Sequence, residues 1–182
     1  QSLDAERILL EQADLAVKAL ADTPSADLDM MRTCLKIIIG GQSLDLRRFG
    51  PANDQDEISS LDDDEALDDY AYRVAGSVGE FWTSMSRHHM FPSRTSLHDE
   101  AWMDDGVRFG KALQMTNILR DIPEDLRFGR CYIPRPRLEA VGLTPEDLRD
   151  ASSMDAFRPV YHALLDLTDD HLEAAVRYTL CL

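Results

Sequence analysis

Cysteine is scarce: Cys34, Cys131 and Cys181 are the only three. An odd number, far apart and without CxxC spacing, argues against a disulfide frame or a thiolate zinc site and predicts reduced thiols in a cytoplasmic protein. Bases are also short. Nineteen Lys and Arg stand against 34 Asp and Glu, a formal charge of −15. That balance argues against nucleic-acid binding, which needs cations to displace counterions from phosphate. No apolar run approaches the roughly 18–20 residues of a membrane span. Missing too is any six-residue alternation of polar and apolar positions with β-branched enrichment, the mark of a half-buried strand. With 44% hydrophobic and 29% charged residues over 182 positions, the chain is expected to fold as a single all-α domain over residues 1–182.

Helical periodicity is what the chain has instead. Leu3 to Leu20 carries apolar residues at helix spacing and breaks near Thr23-Pro24. Ser25 to Arg48 predicts a second helix, stopped by Phe49-Gly50-Pro51. A third is expected from Asp62 to about Met90, and a fourth from about Ser96 to about Asp125. A loop follows through Gly129 and Pro134-Arg135-Pro136. Thr144-Pro145-Glu146-Asp147 then predicts a capped turn, and Met154 to Cys181 the last helix. The first residue is Gln1 and the last ones, Tyr178 to Leu182, carry no polar tail, so the expectation is an interior piece of a longer protein.

Nine carboxylates crowd residues 54–69 without a base among them. Asp64 and Asp68 have the spacing of a metal-binding DxxxD. The favoured reading is a solvated loop whose acids suit the positive end of the third helix. The five histidines, His88, His89, His98, His162 and His171, show no ligand spacing and are read as solvated or structural.

The segment richest in chemistry is Gln114-Met-Thr-Asn-Ile-Leu-Arg-Asp-Ile-Pro-Glu-Asp125. At about 100° per residue, with Gln114 at zero, Asn117 falls near ~300°, Asp121 near ~340° and Asp125 near ~20°. Apolar residues cover most of the remaining circle, so a buried helix with a thin polar stripe facing a cavity is expected. Buried acids four residues apart need a cation beside them. With oxygen-only donors Mg²⁺ fits better than zinc. The alternative is neutralisation by Lys111, Arg120 or Arg127. Pro123 is expected to kink or loosen the helix between the two acids. On the third helix Tyr70, Val74, Val78 and Phe81 share a face, and Gly76 and Gly79 sit mid-helix, where close approach of another helix or a ligand would offset their cost.

Four strings together, Gly40-Gly-Gln-Ser-Leu-Asp-Leu46, Tyr70-Ala-Tyr-Arg-Val-Ala-Gly-Ser-Val-Gly79, QxxNxxRDxxxD over 114–125 and Arg127-Phe-Gly-Arg-Cys-Tyr-Ile-Pro134, resemble the squalene/phytoene synthase family in order and spacing. The Gly79-Glu-Phe-Trp82 continuation is most similar to bacterial squalene synthases. The resemblance implies a class I isoprenoid (terpenoid) synthase helical bundle around a central cavity. It implies a Mg²⁺-dependent prenyltransferase joining two farnesyl diphosphates to presqualene diphosphate and on to squalene. NADPH enters by resemblance only, because the chain has no dinucleotide fingerprint. Carried over residue by residue, Asp121 and Asp125 are similar to the second metal-binding aspartate motif and Tyr70 to the catalytic tyrosine. Gln114 and Asn117 match polar wall positions, and Arg120, Arg130 and Tyr132 match diphosphate contacts. Val74, Ala75, Val78 and Gly79 match prenyl-channel positions. The first aspartate motif and the C-terminal helices of the family have no counterpart here, so little or no turnover is expected of this piece alone. Greasy substrates leave peripheral membrane contact open, although the net charge opposes an anionic surface. The alternatives are phytoene or dehydrosqualene synthesis, and a silent relative acting as an assembly or scaffold factor.

Overall fold

Helix α3, Ser25–Phe49, turns one face inward: Cys34, Gly41, Asp45 and Phe49 are buried along it, and Gly50 at φ 73° ends it. The computed structural model describes residues 2–50, 57–93 and 98–181. Ahead of α3, the expected first helix is two, α1 (Ser2–Glu11) and α2 (Ala13–Ala19), with a bend at Gln12. Leu9, Leu10 and Val17 remain exposed there, so no packing holds the two straight.

After α3 come strand β1 (Ser59–Leu61), helix α4 (Asp64–Ala71), a π-turn over Tyr72–Gly76 and helix α5 (Ser77–Met90). Asp63 caps α4, its carboxylate accepting from the Ala66 amide at 2.8 Å. Three further acids of the crowded segment find bases on different elements or one turn away. Asp64 pairs with Arg137, Asp68 with Lys111 and Asp69 with Arg73. Asp64 and Asp68 are therefore ion-paired in separate directions, and Asp54 and Asp56 lie outside the described residues.

Helix α6 (His98–Arg127) runs unbroken through Pro123, and Gly129 at φ 73° turns the chain into strand β2 (Arg130–Pro134). The segment expected to be a loop is thus this strand followed by the short helix α7 (Arg135–Glu139). Strand β2 pairs in parallel with β1, Ser59 opposite Arg130. Strands of three and five residues are too short to show an alternation, which is why the sequence hides them. The Thr144 turn forms as expected, Asp147 accepting from the Thr144 amide and hydroxyl at 2.7 and 2.8 Å. Helix α8 (Met154–Cys181) closes the fold against α6. Phe157, Val160 and Leu164 of α8 meet Met115, Ile118 and Leu119 of α6 in the core, joined by Leu61, Ile133 and Leu138. Among the described residues no helix is long and apolar enough to cross a membrane, and the three cysteines are free thiols.

Helices α5 and α6 run antiparallel at backbone contact. A Cβ added to Gly79 would overlap the Gly106 carbonyl, and one added to Gly110 would overlap that of Ala75. The mid-helix glycine at 79 is thus explained by the close approach of a second helix. Thr83 completes the contact, donating to the Gly79 carbonyl at 2.8 Å beside the Tyr178 hydroxyl at 3.0 Å.

Two substitutions separate this contact from helix propensity. Gly79→Ala forces two backbones apart and lowers the unfolding free energy by about 1–3 kcal/mol. Gly40→Ala, whose Cβ meets only the Arg73 guanidinium at 3.7 Å, raises it by about 0.5–1 kcal/mol. Urea denaturation of both variants checks the pair.

Candidate active site

The antiparallel crossing brings the end of α4 beside the second half of α6, and there the polar residues gather. Tyr70, on the last turn of α4, stacks on Tyr132 of β2 with ring centroids 4.5 Å apart and planes at 23°. The Tyr132 hydroxyl donates to Asp45 Oδ2 at 2.9 Å, and Arg130 reaches the same oxygen at 3.3 Å. Asp45 is buried at 9% exposure. Its second oxygen, Oδ1, has no hydrogen-bond partner, nor do Nη1 of Arg48 and Nε of Arg130. Buried polar atoms are ordinarily hydrogen-bonded, so three unpaired ones gathered in one cluster call for an explanation.

Two carboxylates of α6 approach this cluster in opposite electrostatic states. Asp121 is held by exposed Arg120, with contacts of 2.7 and 2.8 Å, and that pairing lowers its pKa below the usual carboxylate range. So one of the three bases suggested as neutralisers does engage an acid of the pair, while Lys111 goes to Asp68. Asp125 differs. Among the described residues no ion pair forms on it, and burial first, then the charge of Asp121, push its pKa up to about 6 against the opposing pull of Arg130. Two acids one turn apart are thereby driven to different pKa values, as in sites where a carboxylate pair has work to do. Burial also raises the Tyr70 phenol, and burial with Tyr70 and Asp45 nearby raises Tyr132, so both stay neutral.

Beside the cluster lies an apolar groove of ≈ 490 Å³ between α5, α6 and α8. Val74, Ala75, Val78 and Gly79 all line it, together with Trp82, Phe109, Gly110, Leu113 and Tyr178. On the α6 wheel Gly110 falls near ~320° and Leu113 near ~260°. They share an arc with Asn117 and Asp121, so groove wall and polar stripe are one continuous face. Gln114, Asn117, Asp121 and Asp125 are all partly buried along it.

Two expectations are corrected. Helix α6 is not enclosed on most of its circumference: Leu113 is 53% exposed, and Thr116 and Arg120 face outward. Phe81 does not share the groove of Val74 and Val78 but lines a second one, against Met30, Cys34 and Ile37 of α3. The reason is the π-turn at Tyr72–Gly76, whose extra residue resets the register that a constant 3.6 period assumes. Asp45 was not singled out from the sequence. Its signal was there, an acid between Gly41 and Phe49 at helix spacing on a buried face.

The raised Asp125 pKa has a consequence for the metal-free protein. The folded carboxyl holds its proton to about pH 6, whereas an unfolded Asp releases it near ~3.9. The folded state thus binds more protons between these values, and its stability falls as pH rises through that window. Asp125→Asn removes the charge and is expected to be more stable than the wild type by about 1 kcal/mol at pH 7.5, discounted for partial exposure. The gain shrinks to nothing at pH 4, and chelator-treated urea melts at the two pH values check it.

With the geometry in hand, the comparisons with known proteins agree on one assignment. The squalene/phytoene synthase family model matches residues 1–182. A 15-cis-phytoene synthase from Enterobacter agglomerans is 36% identical over 61% of this chain and 36% of its own length. A presqualene diphosphate synthase from Zymomonas mobilis is 34% identical over 73% of this chain and 39% of its own length. In three dimensions the chain is similar to squalene synthase HpnC from Alicyclobacillus acidocaldarius, with a TM-score of 0.64 and 25% identity over 82% of this chain and 50% of that one. The chain therefore spans roughly a third to a half of the length of these relatives. Matched along its whole length and folded like its relatives, the chain belongs to the squalene/phytoene synthase family of prenyltransferase-type enzymes, built on the all-helical terpenoid-synthase fold.

Proposed function

We propose that the whole protein joins two farnesyl diphosphates head to head, giving presqualene diphosphate and, with NADPH, squalene, and that this chain supplies one half of the site. The observation that carries the reading is Asp125. A partly buried carboxylate beside Asp121, pushed up to about 6 and without a base of its own, is a position that a divalent cation would complete. The donors there are oxygens only, which suits Mg²⁺. Asp121 and Asp125 would hold the ion, and bound there it would neutralise charge on a departing diphosphate.

The chain's own residues account for the other needs of the reaction. Arg130, anchored by Asp45, and Arg120, exposed at the rim, offer guanidinium groups to diphosphate oxygens. Gln114 and Asn117 supply neutral polar contacts on the same face. An allylic cation needs a dry wall and an aromatic surface. Val74, Ala75, Val78 and Gly79 line the apolar groove, and the neutral Tyr70 ring lies next to the diphosphate end. Tyr132 orients Tyr70 by stacking and is held in turn by Asp45.

A second reading, phytoene or dehydrosqualene synthesis, is favoured by relatives named 15-cis-phytoene synthase at similar identity. Both share the aspartate pair; phytoene synthesis differs in the prenyl chain accepted and dehydrosqualene synthesis in the reductive step. Incubating the full-length protein with farnesyl or geranylgeranyl diphosphate and Mg²⁺, with and without NADPH, separates them by product. Presqualene diphosphate from the first substrate is the expected result. Asp125→Asn is expected to lower turnover by about a hundredfold or more with its fold intact by circular dichroism. Activity within twofold of wild type would remove the role given to Asp125, and an inert full-length protein would favour the scaffold reading. Residues 1–182 alone are expected to turn over little or nothing.

A further inference from the structure

Away from that site, the first turn of α3 meets the last turn of α5. Asp27, third residue of α3, is buried at 7% exposure. His88 and His89 stand in the last turn of α5, just before Met90, and are both exposed. One ligand atom from each of the three lies within 4.8 Å of the other two. His89 Nε2 is 2.9 Å from Asp27 Oδ1, a hydrogen-bond contact that a bound ion would open by a few tenths of an ångström, toward the ~3.3 Å edge of a tetrahedron built on bonds of about 2.0–2.1 Å. The two imidazole rings have centroids 4.8 Å apart and planes at 82°.

We infer that Asp27, His88 and His89 form a site for a divalent transition-metal ion of the Zn²⁺ class, distinct from the aspartate pair of α6. The donor chemistry selects the ion. Two imidazoles with one carboxylate suit Zn²⁺, Co²⁺ or Ni²⁺, whereas Mg²⁺ prefers oxygen donors throughout. A buried carboxylate needs a cationic or hydrogen-bonding partner, and one contact to His89 occupies only one of the Asp27 oxygens. The unpaired carbonyls ending α5 add negative potential that favours a cation there. Three protein ligands leave a fourth position for water. The ligands come from two helices far apart in sequence, so the ion acts as a staple between α3 and α5. It would close one end of the groove that Met30, Cys34 and Phe81 line between those helices.

The test uses the tag-free chain, stripped with chelator and titrated with ZnCl₂ by calorimetry and with Co²⁺ by visible absorption. The expected result is one equivalent bound, tetrahedral Co²⁺ bands, and a Tm raised by about 5 °C at saturating Zn²⁺. His88→Ala and His89→Ala, both at exposed positions, are each expected to weaken binding by about tenfold or more, and Asp27→Asn likewise. Excess Mg²⁺ should leave the Co²⁺ bands unchanged, and Cys181→Ser should bind as the wild type does. Absence of binding overturns the site in favour of a plain Asp27–His89 hydrogen bond. Binding that survives the double histidine variant, yields to Mg²⁺ or disappears in Cys181→Ser overturns it in favour of another location.

Discussion

Where α5 crosses α6 the two backbones touch, and that contact determines where everything else can stand. Gly79 faces the Gly106 carbonyl and Gly110 faces that of Ala75, with no room for a Cβ at either place. Helices ordinarily pack 8–10 Å apart, spaced by side chains, and removing those side chains lets carbonyl and Cα meet directly. The antiparallel register that results brings Tyr70 to the aspartate-bearing half of α6 and leaves Val74, Ala75 and Val78 lining a groove along the same face. A packing constraint thus places the chemistry.

Charge then divides that face. At one end an apolar groove offers carbon and aromatic surface. At the other, among the described residues, Asp45 and Asp121 have ion-pair partners and Asp125 has none. Asp45 holds Tyr132 and Arg130 in place yet keeps one oxygen unpaired. Asp121 is compensated by Arg120 and Asp125 is not, which is why burial and its neighbour move the second carboxyl and leave the first low. Such a cluster is costly for a fold to maintain by itself. In the proposed function a cation and an anionic ligand would offset that cost, and a hydrocarbon chain would occupy the groove.

Much of this arrangement could be read along the chain, and particular residues show why some could not. The stripe of Gln114, Asn117, Asp121 and Asp125 follows from helix geometry alone, because all four lie on one element. The halves of α6 facing solvent did not follow, since Leu113 looks like core on a wheel and its exposure depends on which neighbours are present. Phe81 was assigned to the face of Val74 because a constant period cannot foresee a π-turn, a local rearrangement stabilised by what packs around it. Asp45 escaped because a lone acid on an amphipathic helix reads as a surface residue until its partners, 85 and 87 positions away, are known. Strands β1 and β2 escaped because each is shorter than the pattern that would announce it.

The sequence by itself determined the helical class, the boundaries of α3 and α8, mid-helix glycines that call for close approach of another helix or a ligand, and the carboxylates that share one arc. These are consequences of short-range geometry, of 3.6 residues per turn, of glycine's missing side chain and of capping. Tertiary structure alone decided which acid would be left uncompensated, that Tyr70 would stack on Tyr132, and that Asp27 would come within reach of His88 and His89. The burial of Asp125, the Tyr70 stacking and the meeting of Asp27 with the histidines depend on distant segments, whereas Asp121 is paired by its own neighbour Arg120. Electrostatics at a site is a sum over neighbours in space, and the order of residues along a chain does not state who those neighbours are.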